Sequence, residues 1–111
     1  MGRLDRLPRH VLQDGLIVHE ATTFGARLLG LSFMRPPPED HALLIPNCRS
    51  VHTFGMRFAI DVTFLDESGR PLRVVRAVPP RRVLFERRAF AVLERVSPSR
   101  PPDARGATST P

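Results

Sequence analysis

From Phe58 to Leu65 the side chains alternate: Phe58, Ile60, Val62 and Phe64 fall on one side, and Ala59, Asp61, Thr63 and Leu65 on the other. A period of two is the mark of a strand with one face in a core. A strand needs hydrogen-bonding partners, so this segment commits the chain to a sheet. The first partner follows at once. Asp66-Glu67-Ser68-Gly69 supplies a turn, Leu72 to Val78 returns antiparallel, and Pro79-Pro80 stops it.

Other short apolar runs extend the pattern. His10 to Gln13 and Leu16 to Glu20 flank Asp14-Gly15, a dipeptide that suits a hairpin turn with positive φ at both positions. Ala42 to Ile45 is a short buried strand ended by Pro46, and Ala89 to Glu94 alternates as a further strand. Between them, Thr22 or Thr23 caps a two-turn helix carrying Phe24, Leu28 and Leu31 on one side, with Gly30 as its stop. Pro36-Pro37-Pro38 is a stiff exposed loop, and residues 47–57 and 79–88 read as loops. The expected fold is mainly β, a small antiparallel β-sandwich or barrel-like domain with one short α-helix. Residues 1–9 form an N-terminal arm, 10–96 a single β-rich domain, and 97–111 a Pro/Ser/Thr-rich tail whose composition predicts disorder.

With 111 residues there is room for one core. The single Cys excludes an internal disulfide framework and any zinc site needing two thiolates. No apolar run approaches the ~20 residues of a membrane span, and Met1 to Pro8 is too polar for a signal-peptide core, so a cytoplasmic location is expected. The net charge of +6 comes from 17 basic residues that are all Arg, and Arg70 to Arg88 holds seven of them against Glu86 alone. Such a stripe could meet phosphates. Against nucleic acid as a partner stands the aromatic content, which is Phe alone and falls mostly where a core is expected. The Arg70–Arg88 segment is kept as an alternative interface.

Residues with chemical potential concentrate between Asn47 and Asp61. Cys48, His52 and Asp61 are the residue types of a divalent-metal site, but a loop spacing of four carries no helical geometry. Cys48 or Ser50 beside His52 raises the question of an activated nucleophile, for which no orienting group or oxyanion hole is visible. There is no G-x-S-x-G, P-loop or dinucleotide fingerprint. Asp61 is the most informative residue, because a carboxylate in a run of strong β formers needs partners. Arg57, on the same face of the strand, and His52, from the preceding loop, are the candidates. Two roles follow: a structural network pinning loop to sheet, or a small polar pocket of His52, Arg57 and Asp61, with Glu94 able to join either. The functional expectation is a binding or accessory module for a small ligand or a protein partner, with no cofactor and no catalytic machinery of its own. The rival is a metal-binding or hydrolytic enzyme using Cys48, His52 and Asp61.

Ser50-Val51-His52-Thr53-Phe54-Gly55-Met56-Arg57-Phe58, followed by Ile60-Asp61-Val62 and Phe64-Leu65-Asp66, resembles the signature of the bacterial and archaeal family called domain of unknown function 192. Asp14-Gly15, Ala21-x-Thr23, Arg27-x-x-Gly30-Leu31, Leu44-x-Pro46, Val78-Pro79-Pro80 and Val92-Leu93-Glu94 agree in order, so the likeness covers about residues 10–94. It implies a small, mainly β fold with one short helix and no established reaction. Members usually continue past Leu-Glu into an Ala-Gly stretch and a last strand introduced by Gly-Asp; here Arg95-Val96 leads into the Pro-rich tail. That departure predicts an unpaired strand edge and weak self-association through it.

Overall fold

The computed structural model describes residues 3–98. Eight strands form, β1 (Arg9–Val11), β2 (Ile17–Glu20), β3 (His41–Pro46), β4 (Ser50–His52), β5 (Ile60–Leu65), β6 (Pro71–Val78), β7 (Val83–Phe85) and β8 (Ala91–Val96), with one α-helix, α1 (Phe24–Leu29). Six of them make a sheet in the order β1-β2-β3-β8-β5-β6, while β4 and β7 pair as a separate two-stranded ribbon. The fold is mainly β, as expected. All pairs are antiparallel except β2 with β3, which run parallel because α1 carries the chain across between them.

The alternation in β5 orders the core. Ile60, Val62 and Phe64 are fully buried and pack with Leu43 and Ile45 of β3 and Val92 of β8. This face is covered by Val51 of β4 with Leu84 of β7, by Ala26 of α1, and by Leu31 and Met56. The ribbon was expected as loop. Its strands are three residues each, too short to show a period, and are recognised only by Val51 and Leu84 turning inward together.

Local chemistry accounts for the other elements. Thr23 caps α1 by accepting the Ala26 N–H at 3.0 Å, and Gly30 ends it at φ 56°. In the first hairpin Gly15 has φ 90°, but Asp14 does not join it on the positive side; its Oδ1 accepts the Leu16 N–H at 3.1 Å instead. Leu12 and Leu16 close a three-residue loop rather than the expected two-residue turn. The segment expected as an arm is packed: Leu4 and Leu7 belong to the main core, and the Arg3 guanidinium donates to Gly30 O and Ser32 O at 2.8 and 2.7 Å. The tail expected to be disordered lies, beyond Pro98, outside the described residues. Strand β8 is paired on both sides, so the free sheet edges are those of β1 and β6.

Candidate functional site

The sheet has a second face, on which Leu16, Val18 and Ala42 form a smaller buried cluster with Leu44 and Leu93 packed against it. Val18 of β2, Leu44 of β3, Leu93 of β8, Thr63 and Leu65 of β5 and Val74 of β6 line a groove of about 540 Å³. His10 and Leu12 from the β1 edge and Pro71 and Arg76 from the β6 edge line the same groove. The two margins of a six-stranded sheet can share one cavity only if the sheet is strongly curled. The lining is mostly aliphatic, with His10, Arg76, Arg95 and one acid, Asp61, among its polar members.

The alternation of β5 turns Asp61 into the wall of this groove, and a fault in the strand pairing supplies its partners. Ile60 pairs with Val78 and Val62 with Val75, so Arg76 and Ala77 together face Asp61. This is a β-bulge, and it places Ala77 at φ 55°. The Ala77 N–H, displaced from the ladder, donates to Asp61 Oδ1 at 2.9 Å, and Arg76 Nη1 stands 3.5 Å from Oδ2. The carboxylate therefore stands in for a missing backbone acceptor and is 9% exposed. Asp61 is neutralised by an amide and a guanidinium, as its sequence context requires, but the donors come from β6 and not from His52 or Arg57.

The four residues expected as one polar corner are dispersed. His52 lies on the ribbon, where its Nε2 donates to Leu28 O at 3.0 Å. Arg57 is exposed. Glu94 is opposite Val62 while Asp61 is opposite Arg95, so the two carboxylates project from opposite faces of the sheet. Cys48 donates its thiol to Ser50 O at 3.0 Å. With Cys48, His52 and Asp61 each engaged elsewhere, the rival metal-ligand set does not assemble, and among the described residues no group of three His, Cys, Asp or Glu side chains is placed to hold a metal ion.

Glu94 occupies the core face and is 2% exposed. Burial pushes its carboxyl up to about 7, against the pull of the Leu31 amide and the Arg3 guanidinium. Its Oε1 has no hydrogen-bond partner, and a Cβ on Gly30 would come within 2.7 Å of it. Gly30 is thus required twice, for its positive φ and for the space Glu94 occupies. Two histidines were not singled out from sequence. His19 Nε2 and His41 Nδ1 are 2.8 Å apart across β2 and β3, and burial, then the neighbouring His41, lowers the His19 pKa. The parallel β2–β3 pairing brings them together, and no sequence spacing announces it.

The chain is a small, mainly β domain whose curled sheet carries an aliphatic groove with Arg76 and Arg95 among its lining residues. The chain belongs to the DUF192 family, described as Uncharacterized ACR, whose model matches residues 11–97. Its fold is similar to that of a Sinorhizobium meliloti 1021 protein described as a "putative transcription regulator", at a TM-score of 0.67 and 20% identity over 80% of this chain and 78% of that one. It is also similar to a Novosphingobium aromaticivorans protein of unknown function, at a TM-score of 0.65 and 15% identity over 87% of this chain and 86% of that one. No curated protein matches this chain. Among the described residues no helix is long and apolar enough to cross a membrane.

Proposed function

We propose that this protein is a binding module whose ligand is a small amphipathic anion, seated in the groove on the open face of the sheet. The observation that carries this reading is a mostly aliphatic groove that also has His10, Arg76 and Arg95 among its lining residues. Leu44, Leu93 and Val74 would hold an alkyl or aryl body. Arg76, three-quarters exposed at its side chain and only loosely held by Asp61, would meet a carboxylate, sulfonate or phosphate head. Asp61 serves as the positioning group, since it fixes the bulge from which Arg76 projects. His52, Arg57 and Glu94 are not members of this site.

Titration with decanoate below its micellar concentration, followed by NMR, tests the reading. Shifts should centre on Leu44, Thr63 and Leu93, Leu93→Asp and Arg76→Ala should each weaken binding about tenfold or more, and decylamine should compete poorly. Absence of shifts at those positions, or equal binding of decylamine, overturns it.

Self-association of the chain is proposed to be weak. The long β6 edge carries Pro71, Arg73 and Arg76, features that blunt edge pairing. Sedimentation at two concentrations checks this, and a stable dimer at low concentration refutes it.

A further inference from the structure

Among the described residues four Phe are exposed, although most Phe were expected where a core forms: Phe33, Phe54, Phe85 and Phe90. Two of these belong to one surface. On the ribbon, Val51 and Leu84 face the core, so His52 and Val83 point outward. The His52 ring lies 6.1 Å from that of Phe54, and Phe33 packs its ring over Gly55, where any Cβ would come within 2.5 Å of it. Phe33 and Phe54 are 62% and 51% exposed.

This surface is held rigidly from beneath. Thr53, fully buried, accepts the Arg82 N–H on its hydroxyl at 2.7 Å and donates that hydroxyl to Pro79 O at 2.7 Å. Its backbone binds the same turn, Thr53 N–H to Arg82 O and Arg81 N–H to Thr53 O. Ser32, also fully buried, donates to Phe54 O at 2.9 Å, and the Phe33 N–H donates to Gly55 O at 2.8 Å. Three separate segments are stitched together to present side chains that the fold does not bury. Phe33 and Arg81 are held at φ 62° and 69°, a left-handed backbone unfavourable for both. Exposed side chains kept in strained backbone by buried polar anchors are the arrangement of a contact surface, since core packing does not require it.

The chemistry of the surface selects its partner. Arg81 and Arg82 are bonded through their backbones to Thr53, the residue before Phe54, and Arg57 follows two residues after Gly55; all three are exposed. Among the described residues none of them forms an ion pair. Flat rings offer stacking faces, and unpaired guanidiniums offer phosphate contacts and further stacking. We propose that the Phe33–Phe54 platform with Arg57, Arg81 and Arg82 binds single-stranded nucleic acid, the bases stacking on the rings and the backbone lying along the arginines. The partner surface expected in the Arg70–Arg88 stripe is thereby narrowed to its Arg81–Arg82 end and joined to aromatics from elsewhere in the chain. The reading is independent of the groove, which opens on the other face of the sheet.

Fluorescence anisotropy of the full chain with a labelled oligo-dT of about 12 nucleotides tests it. Binding is expected at about 50 mM salt, weakening with a log–log slope of about −2, the value for three phosphate contacts to a single strand. Phe54→Ala and Phe33→Leu, which keeps the packing on Gly55 but removes the ring face, should each weaken binding about fivefold or more. Arg81→Gly suits the backbone and should reduce the slope by about 0.7. Leu93→Asp, in the groove, should leave oligonucleotide binding unchanged. No binding at low salt, or binding indifferent to both Phe changes, overturns the proposal. So does displacement of the oligonucleotide by poly-glutamate at equal charge, which would identify an acidic polypeptide as the partner.

Discussion

Asp61 and Glu94 stand on neighbouring strands of one sheet and live in opposite worlds. Asp61, on the open face, has an amide at 2.9 Å and a guanidinium at 3.5 Å. Glu94, on the packed face, has an oxygen with no partner and a pKa raised to about 7. Depth alone does not separate them, because Asp61 is only 9% exposed. What differs is how completely donors answer the burial. A bulge releases a backbone N–H beside Asp61, whereas the Leu31 amide and the Arg3 guanidinium leave Glu94 Oε1 without a partner in the apolar core. Buried in its apolar stretch, the Glu94 carboxyl is pushed toward its neutral form.

The largest expected effect is on Glu94. Its folded pKa lies above the usual value near 4.5, so its contribution to stability is complete below about pH 4.5 and is lost as pH rises to about 7 and beyond. The loss approaches about 3 kcal/mol. Urea melts from pH 4 to 8 should show this decline in the native chain and a flatter profile in Glu94→Gln; equal slopes would break the contrast with Asp61. Next comes Gly30→Ala, which forces a Cβ against Glu94 Oε1 at a φ of 56° and should destabilise by about 2–3 kcal/mol, read as a lowered Tm. Asp61→Ala leaves the Ala77 N–H unanswered and should cost about 2 kcal/mol, with Asp61→Asn costing less because it keeps an acceptor. The smallest effect is a gain. Ala77→Gly relieves the left-handed residue at the bulge and should stabilise by about 0.5–1 kcal/mol in the same melts. If the bulge relaxes once Asp61 is gone, that gain shrinks in the Asp61→Ala background, which would show that the carboxylate enforces the fault as well as answering it.

The parts of the fold legible from sequence are those whose signal is local. The alternation of Phe58 to Leu65 foretold β5 and its faces, although the strand begins only at Ile60. Thr23 and Gly30 marked both ends of α1, because caps are read from single residues. Features set by distant partners escaped. The ribbon was hidden because three residues cannot display a period, and the parallel β2–β3 pair because hairpin logic assumes antiparallel neighbours. Leu4 and Leu7, three apart, carried a weak sign that the N-terminus packs inward. Asp61 was correctly marked as needing partners. The partner itself was invisible, since nothing in Arg76-Ala77 announces a bulge at an alanine with positive φ. Phe33 and Phe54 are exceptions to the expectation that most Phe fall in a core, since the backbone holds both outside.

The curl of the large sheet has a mechanical side. Residues His10 and Arg76 lie at opposite ends of the strand order yet line one cleft, and among the described residues their strands do not pair. The curled sheet therefore has an open seam between β1 and β6. Any occupant gripping both lips would clasp the first strand to the sixth, slowing amide exchange along both margins and leaving the middle of the sheet as it was.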